Sequence, residues 1–329
     1  MSISQADQVK MATLFPNMIL ESKLEALYKL VDKEELKKII SSLKVDKSPG
    51  TNGWTMEFFK HFFDLVGDDI LEMIEESRTL GFISRALNST FLTLIPKVNK
   101  PRLFGDFWPI SLCNLCYKII SKIIANQIKP FISRSLSEEQ LGFLQGRQIQ
   151  DAIGTVHGCI HSIKRKKSKS LILELDIQKA YDCVNWDLLR ILLLQIGLDC
   201  KLINWIMSCV VSTSYFVLIN GEATKFFKSG RGLRQGCSLL PLLFIPMMES
   251  LSLLLKDSQR EGKLSGIQVS NSIKILHILF VDGVIIMTCA TIHEWWEIDK
   301  VLKIFSLTSS ILINVSKSMF HQSCMTDNE

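Results

Sequence analysis

The sequence predicts a mixed domain of helices and strands, α/β or α+β, on three observations. Short apolar, β-rich runs alternate with longer stretches whose apolar residues recur at helical spacing. Strong turn pairs such as Asn220-Gly221 separate such runs at hairpin distance. With 329 residues and 47% hydrophobic content, the chain can bury one large core or two ordinary ones, and its composition is not that of a disordered chain.

Residues 1–30 carry no clear signal beyond helical potential over 20–30. Residues 32–43 make an amphipathic helix with Leu36, Ile39, Ile40 and Leu43 on one face. The turn-rich stretch KVDKSPGTNG (44–53) ends it. A second helical region runs from Trp54 to about Leu80, with Gly81 as its stop. FLTLIP (91–96) reads as a strand, followed by Lys97, a loop through Phe107, and PISLCN (109–114). Residues 117–133 repeat isoleucine at helix spacing. LGFLQGRQIQD (141–151) leads into a helix ending in KRKKSK (164–169), whose plain reading is a solvated basic loop and whose alternative is a contact to a phosphate backbone.

The central stretch is LILELDIQKAYDCVNWD (171–187), a buried-strand pattern through Ile177 and then a tight turn entering a helix. Residues 188–196 and 202–211 are helical by pattern. YFVLI and EATKFF flank Asn220-Gly221 in the clearest hairpin. RGLRQGCSLLP (231–241) is a Gly-rich basic loop opening a helix that runs to about Lys256. Residues 273–288 form a second hairpin with Val281-Asp282-Gly283 at its turn, and ILINVSKSM (311–319) a closing strand and turn.

Several function classes drop out. The longest apolar stretches, near 239–248 and 275–287, are too short to span a bilayer, and no N-terminal run has the form of a signal peptide. Nine scattered cysteines in such a chain read as reduced, so the expected location is intracellular, in nucleus or cytoplasm. Cys113 and Cys116 form a lone C-x-x-C without the second pair that a zinc site needs. A net charge of +5 permits a local basic groove without demanding one.

The candidate chemistry lies in Asp176, at the end of an apolar strand, and Asp282, at the tip of an apolar hairpin, with the basic Gly-rich loop between them in sequence. A carboxylate at a buried strand end costs free energy unless something binds it. Two such groups at one sheet edge suit divalent cations gripping a triphosphate, because phosphoryl transfer needs mainly positioning and charge neutralisation. An Asp that caps the following helix is the plain alternative for Asp176.

These residues also carry a resemblance. SPGTNGWTMEFFK, FLTLIPK, DFWPISLCNLCYKIISKIIANQIKP, LGFLQGRQIQDAI, LELDIQKAYDCVNW, NGEATKFFKSGRGLRQGCSLLPLLF, ILFVDG and INVSKSMF resemble, in that order, the reverse transcriptase of non-LTR (LINE-type) retrotransposons, particularly those of plants. The resemblance covers most of residues 48–320. It implies an α+β right-hand polymerase, with fingers and an antiparallel palm sheet flanked by helices. Residues 1–47 would be a helical extension and 321–329 a tail.

By the same resemblance, Asp176, the carbonyl of Ile177 and Asp282 would hold Mg2+. Tyr181 would pack under the incoming sugar, and Gln235 and Gly236 would line the nucleotide pocket beside Lys97. Arg231, Arg234, Asn314 and Lys317 are the expected nucleic-acid contacts. The implied partners are an RNA template, a DNA primer and deoxynucleoside triphosphates.

The chain departs from the family where the chemistry needs it most. Gly283 replaces the second Asp of the Phe-Ala-Asp-Asp turn, and Trp108 stands where a phosphate-binding Arg is expected. Cys237, Ser238 and Leu240 alter the Gln-Gly-Asp-Pro-Leu-Ser-Pro pattern. From the extent of these motifs, an endonuclease domain and a thumb are expected to be missing. The expectation is therefore an impaired or inactive polymerase, with a non-catalytic nucleic-acid-binding remnant or a decayed reading frame as the alternative.

Overall fold

The computed structural model describes residues 5–16, 27–134, 136–144, 146–219 and 221–323. Most of the helix expected over 20–30, and Asn220 of the first hairpin turn, lie outside the described residues. The chain divides into two compact units: Met1–Met18, Ile132–Ile196 and Leu243–Glu329 form the first, and Ile19–Phe131 and Gly197–Leu242 the second.

The chain opens with α1 (Gln5–Ala12) and α2 (Lys33–Ser42). Asp32 caps α2 by accepting the Glu35 N–H at 2.7 Å, while Leu36, Ile39 and Ile40 turn inward as their spacing predicts. The second helical region is two helices, α3 (Met56–His61) and α4 (Phe63–Leu80), broken at Phe62, and Gly81 ends α4 at φ +60°. Next come β1 (Ser89–Pro96) and β2 (Phe107–Cys113). The loop expected through Phe107 ends where β2 begins, and Pro109 is tolerated within β2 because it is an edge strand.

α5 (Leu115–Arg134), α6 (Ile149–Lys166) and β3 (Ser170–Gln178) follow. Then come α7 (Trp186–Ile196), α8 (Cys200–Val211), β4 (Ser214–Ile219), β5 (Glu222–Ala223) and α9 (Leu240–Arg260). The C-terminal part holds β6 (Ile267–Gln268), β7 (Lys274–Ile275), β8 (His277–Phe280), β9 (Gly283–Cys289), α10 (Ile292–Ser309), β10 (Leu312–Ile313) and β11 (Met319–Ser323). The architecture is mixed helix and sheet. None of the helices, over the described residues, is long and apolar enough to cross a membrane.

In the first unit, the main sheet has β3 at its centre, flanked by β9 and then β8 on one side and by β10 and β11 on the other, all antiparallel. One face of β3, with Leu173, Leu175 and Ile177, is buried. On the other face, α6 packs Ala152, Cys159 and Ile163 against Ile278 and Met287, with Ile172 and Ile285 alongside. That cover stops short of Glu174 and Asp176, which alternation puts on the same face as Ile172.

In the second unit, the sheet order is β2-β1-β4-β5, with β1 and β4 parallel. Thr90, Ser111 and Cys113 mark its buried face. Asn114, following β2, ties the turn-rich SPGTNG stretch to the loop before β1. Its Oδ1 accepts from Thr51 and Asn52, and its Nδ2 donates to the Ala86 carbonyl at 3.0 Å. Gly50 lies so close that an added Cβ would stand 2.4 Å from the Asn114 nitrogen.

Candidate active site

The antiparallel register sets Asp176 directly opposite Gly283, and Phe280 opposite Gly283 closes the hairpin. The central turn residues are therefore Val281 and Asp282, while Gly283 opens β9. The sequence expectation of Val281-Asp282-Gly283 at the turn is corrected accordingly, since Gly283 belongs to β9. The positive φ falls on Val281, at +60°, and Gly283 needs no left-handed conformation. A β-branched residue with that φ is strained, which marks the tip as a place where the surroundings dictate backbone shape.

Part of that dictation comes from Gly142. A Cβ there would meet the Val281 nitrogen at 2.6 Å, so only glycine lets this segment lie against the turn. The same segment hydrogen-bonds to β8: Leu141 N–H donates to the Leu279 carbonyl at 2.8 Å, and Leu279 N–H to the Glu139 carbonyl at 2.9 Å. Sequence reasoning assigned LGFLQGRQ no such role. A glycine between two apolar residues just ahead of a polar turn was the available signal.

Asp176 is half-buried and Asp282 exposed. The turn between β10 and β11 clamps Asp176. Asn314 Nδ2 donates to Asp176 Oδ2 at 2.9 Å and Asn314 N–H to the Asp176 carbonyl at 2.8 Å. The Asp176 N–H in turn donates to Ser318 Oγ at 3.1 Å. Ser316 Oγ donates to Asn314 Oδ1 at 2.7 Å, which fixes the amide orientation. Lys317, on the same turn, is exposed, and the Ile177 side chain is buried.

Tyr181 follows in a short turn of 3-10 helix, Ala180–Cys183. Its ring packs on Phe244 at 4.6 Å between centroids. Burial, with the negative charge of Asp282 added, pushes its hydroxyl up to about 12. Asp176, Ile177, Tyr181, Asp282 and Asn314 thus gather at one end of the sheet. Among the described residues, no three His, Cys, Asp or Glu side chains group so as to hold a metal ion.

The other expected site residues belong to the second unit. Lys97 N–H donates to the Asp106 carbonyl at 2.7 Å, its Nζ to the Gly105 carbonyl at 3.0 Å, and its ammonium lies 5.8 Å from the Trp108 ring centroid. Two backbone N–H groups, from Arg102 and then Leu103, hold the Asp106 carboxyl below its ordinary range. Gly236 has φ +91° and comes within 3.4 Å of the Ser111 carbonyl, judged from an added Cβ. Gln235 is half-buried, and Arg231 is exposed.

Arg234, expected as a nucleic-acid contact, lies buried in the second unit. It is 5% exposed, its guanidinium lies 3.5 Å from the Tyr117 ring centroid, and its Nη2 donates to Asn88 Oδ1. The physical reason is the flat guanidinium, which stacks on a ring and bridges to an amide inside the unit.

The reverse transcriptase (RNA-dependent DNA polymerase) family matches residues 95–326, well over half of the chain. The chain belongs to that family. It is 26% identical over 92% of its length to the transposon TX1 uncharacterized 149 kDa protein of Xenopus laevis. It is 20% identical over 79% of its length to the retrovirus-related Pol polyprotein from type-1 retrotransposable element R2 of Popillia japonica. A 66-residue stretch is 48% identical to an uncharacterized mitochondrial protein of Arabidopsis thaliana, of which it covers 54%. The chain spans 23% of the Xenopus protein and 35% of the Popillia one. This reverse transcriptase domain is of the non-LTR retrotransposon kind, in agreement with the LINE-type motifs.

Proposed function

We propose that this reverse transcriptase domain retains a hold on nucleic acid but is impaired in RNA-directed DNA synthesis. In this reading the sheet around β3 is the palm, β1, β2 and their helices belong to the fingers, and residues 48–320 make up the polymerase portion. The ligands are an RNA template, a DNA primer and deoxynucleoside triphosphates. Tyr181 underlies the incoming sugar, and Lys97, Gln235 and Gly236 serve the nucleotide.

The observation that carries the reading is Gly283 across from Asp176. Cross-strand partners share a face, with their Cβ atoms roughly 4.5–5.5 Å apart. A carboxylate at 283 would therefore stand beside that of Asp176, and glycine leaves the position neutral. Mg2+, when bound in this family, neutralises the triphosphate charge that builds up during transfer. Here Asp176, the Ile177 carbonyl and Asp282 offer two carboxylates and one carbonyl, and Asp176 already accepts from Asn314. That donor set falls short of what a pair of divalent ions needs. Glu174 shares the Asp176 face but lies about 6–7 Å back along the strand, too far to substitute. Trp108 removes the bidentate donor that Arg would offer a phosphate.

Primer extension on an RNA template with magnesium or manganese tests the reading. The natural sequence should incorporate nothing measurable, and Gly283→Asp with Trp108→Arg should restore incorporation. An added Cβ at 283 meets only the Phe280 carbonyl, at 3.3 Å, so the hairpin can take the side chain with a small shift. Incorporation by the natural sequence at a rate equal to the double variant's would overturn the proposal.

A further inference from the structure

One face of the four-stranded sheet carries a cluster of three aromatic rings towards one end of its strands and Trp108 towards the other, each with a cation beside it. Alternation along β1 and its register to β2 put Phe91 and Ile95 on one face with Trp108, and Phe216 of β4 lies beside Phe91. The Phe91 and Phe216 rings are 6.1 Å apart at 69°, and the Phe216 and Phe226 rings 6.3 Å apart at 57°. Lys97 Nζ lies 5.8 Å from the Trp108 centroid at one end, and the Arg85 guanidinium 4.3 Å from the Phe226 centroid at the other. Trp108 is 55% exposed and Phe226 48%.

Scattered exposed rings need no explanation, but rings sharing one face with a cation at each end make a surface with a chemistry. Nucleobases stack on such rings regardless of sequence, while Lys and Arg take the phosphates. Trp108 pairs with Ile95, four residues or roughly 13 Å along β1 from Phe91, and β2 to β4 is two inter-strand spacings, roughly 10 Å, so the face runs diagonally over roughly 16 Å, enough for a short run of nucleotides.

We propose that this face is a stacking platform for single-stranded nucleic acid, with bases on Trp108 and Phe226 and phosphates on Lys97 and Arg85. It rests on the nucleic-acid-binding half of the proposed function. The full chain is titrated by fluorescence anisotropy with a labelled oligothymidylate of about ten nucleotides, and with an abasic strand of equal length, over a range of salt. The abasic strand should bind roughly tenfold weaker or worse. Trp108→Ala and Phe226→Ala should weaken binding of the base-bearing strand towards the abasic level, whereas Trp108→Phe should keep most of its affinity. Lys97→Ala should flatten the salt dependence. Equal affinity of the natural chain for both strands overturns the platform while leaving nucleic-acid binding in place. Binding of neither strand overturns both. A loss on Trp108→Phe as large as on Trp108→Ala overturns the stack.

Discussion

Asn314 holds Asp176 through two hydrogen bonds at once, its side-chain amide on the carboxylate and its backbone N–H on the carbonyl. The edge of β3 is open at this residue: β11 pairs with it up to Glu174, β10 pairs from Ile177, and the turn between them fills the gap. Asn314→Ala removes the side-chain bond and keeps the backbone one. A hydrogen bond to a half-buried carboxylate is worth about 1–2 kcal/mol, so chemical denaturation should show a loss of that size. Asp176→Asn keeps an acceptor oxygen and should cost less than Asp176→Ala. A double-mutant cycle between 176 and 314 should return coupling of about 1 kcal/mol. Additivity of the two alanine variants would show that the contact contributes nothing.

Gly142 and Val281 make a second dependence. Because a Cβ at 142 would stand 2.6 Å from a backbone nitrogen, Gly142→Ala must displace the hairpin or its own segment. Overpacking of this kind costs roughly 1–3 kcal/mol. Val281→Gly acts in the opposite direction, since left-handed backbone costs an L residue about 1–2 kcal/mol and glycine nothing comparable. The expected result is a lower denaturation midpoint for Gly142→Ala and a midpoint equal to or above that of the natural chain for Val281→Gly. A lower midpoint for Val281→Gly would mean that its side-chain packing outweighs the strain.

The two arginines of the Gly-rich loop should separate cleanly. Arg234 is buried on Tyr117 and bonded to Asn88, which in turn donates to Ser212 Oγ at 2.8 Å. Removal of Arg234 leaves the buried Asn88 Oδ1 without its donor, which costs about 1–3 kcal/mol. Arg234→Ala should therefore lower the melting temperature. Arg231→Ala should leave it within about 0.5 kcal/mol of the natural chain, and should reduce the salt slope of oligonucleotide binding by about one. A reversed pattern, with Arg231 the stability residue, would contradict the burial of Arg234.

Much of this was legible in the chain because it rests on local rules. The period-two run through Ile177, the Gly81 stop and the isoleucine repeat of α5 each announce one element by spacing or conformation alone. The acidic pair was legible for the same reason, as charge at the ends of apolar strands. What remained hidden depends on contacts distant in sequence. Asn314 meets Asp176 from 138 residues away, and Arg234 reaches Asn88 across 146. β2 stays unassigned in the sequence, because a strand that contains Pro109 is possible only at a sheet edge and the edge is set by distant pairing. The placing of the positive φ on Val281 rather than Gly283 was hidden too, because a hairpin register shift of one residue leaves composition unchanged.

A buried polar chain in the first unit should give the stability an unusual pH profile. Glu249 accepts from the Ser137 N–H and Oγ, both at 3.1 Å; Ser137 Oγ lies 3.1 Å from Ser252 Oγ, and Ser252 Oγ lies 2.7 Å from His277 Nε2. The Glu139–Lys256 ion pair is the charged neighbour. Burial pushes the Glu249 carboxyl up to about 7, with the bonds from Ser137 opposing it, and pushes His277 down to about 4. For Glu249 the folded state holds its proton more tightly, so its contribution falls as pH rises from about 4.5 to about 7. For His277 the folded state prefers the neutral ring, so its contribution falls as pH drops from 6.5 to about 4. Each shift corresponds to about 3 kcal/mol, and over the shared window the slopes nearly cancel. Glu249→Gln should remove one slope. Stability of the variant should then rise with pH between about 4 and 6.5, and exceed that of the natural chain above pH 7. His277→Gln should show the reverse, with stability falling as pH rises from about 4.5 to about 7. Urea denaturation across that range reads both slopes directly, and variant profiles parallel to the natural one would show that neither group changes its proton affinity on folding.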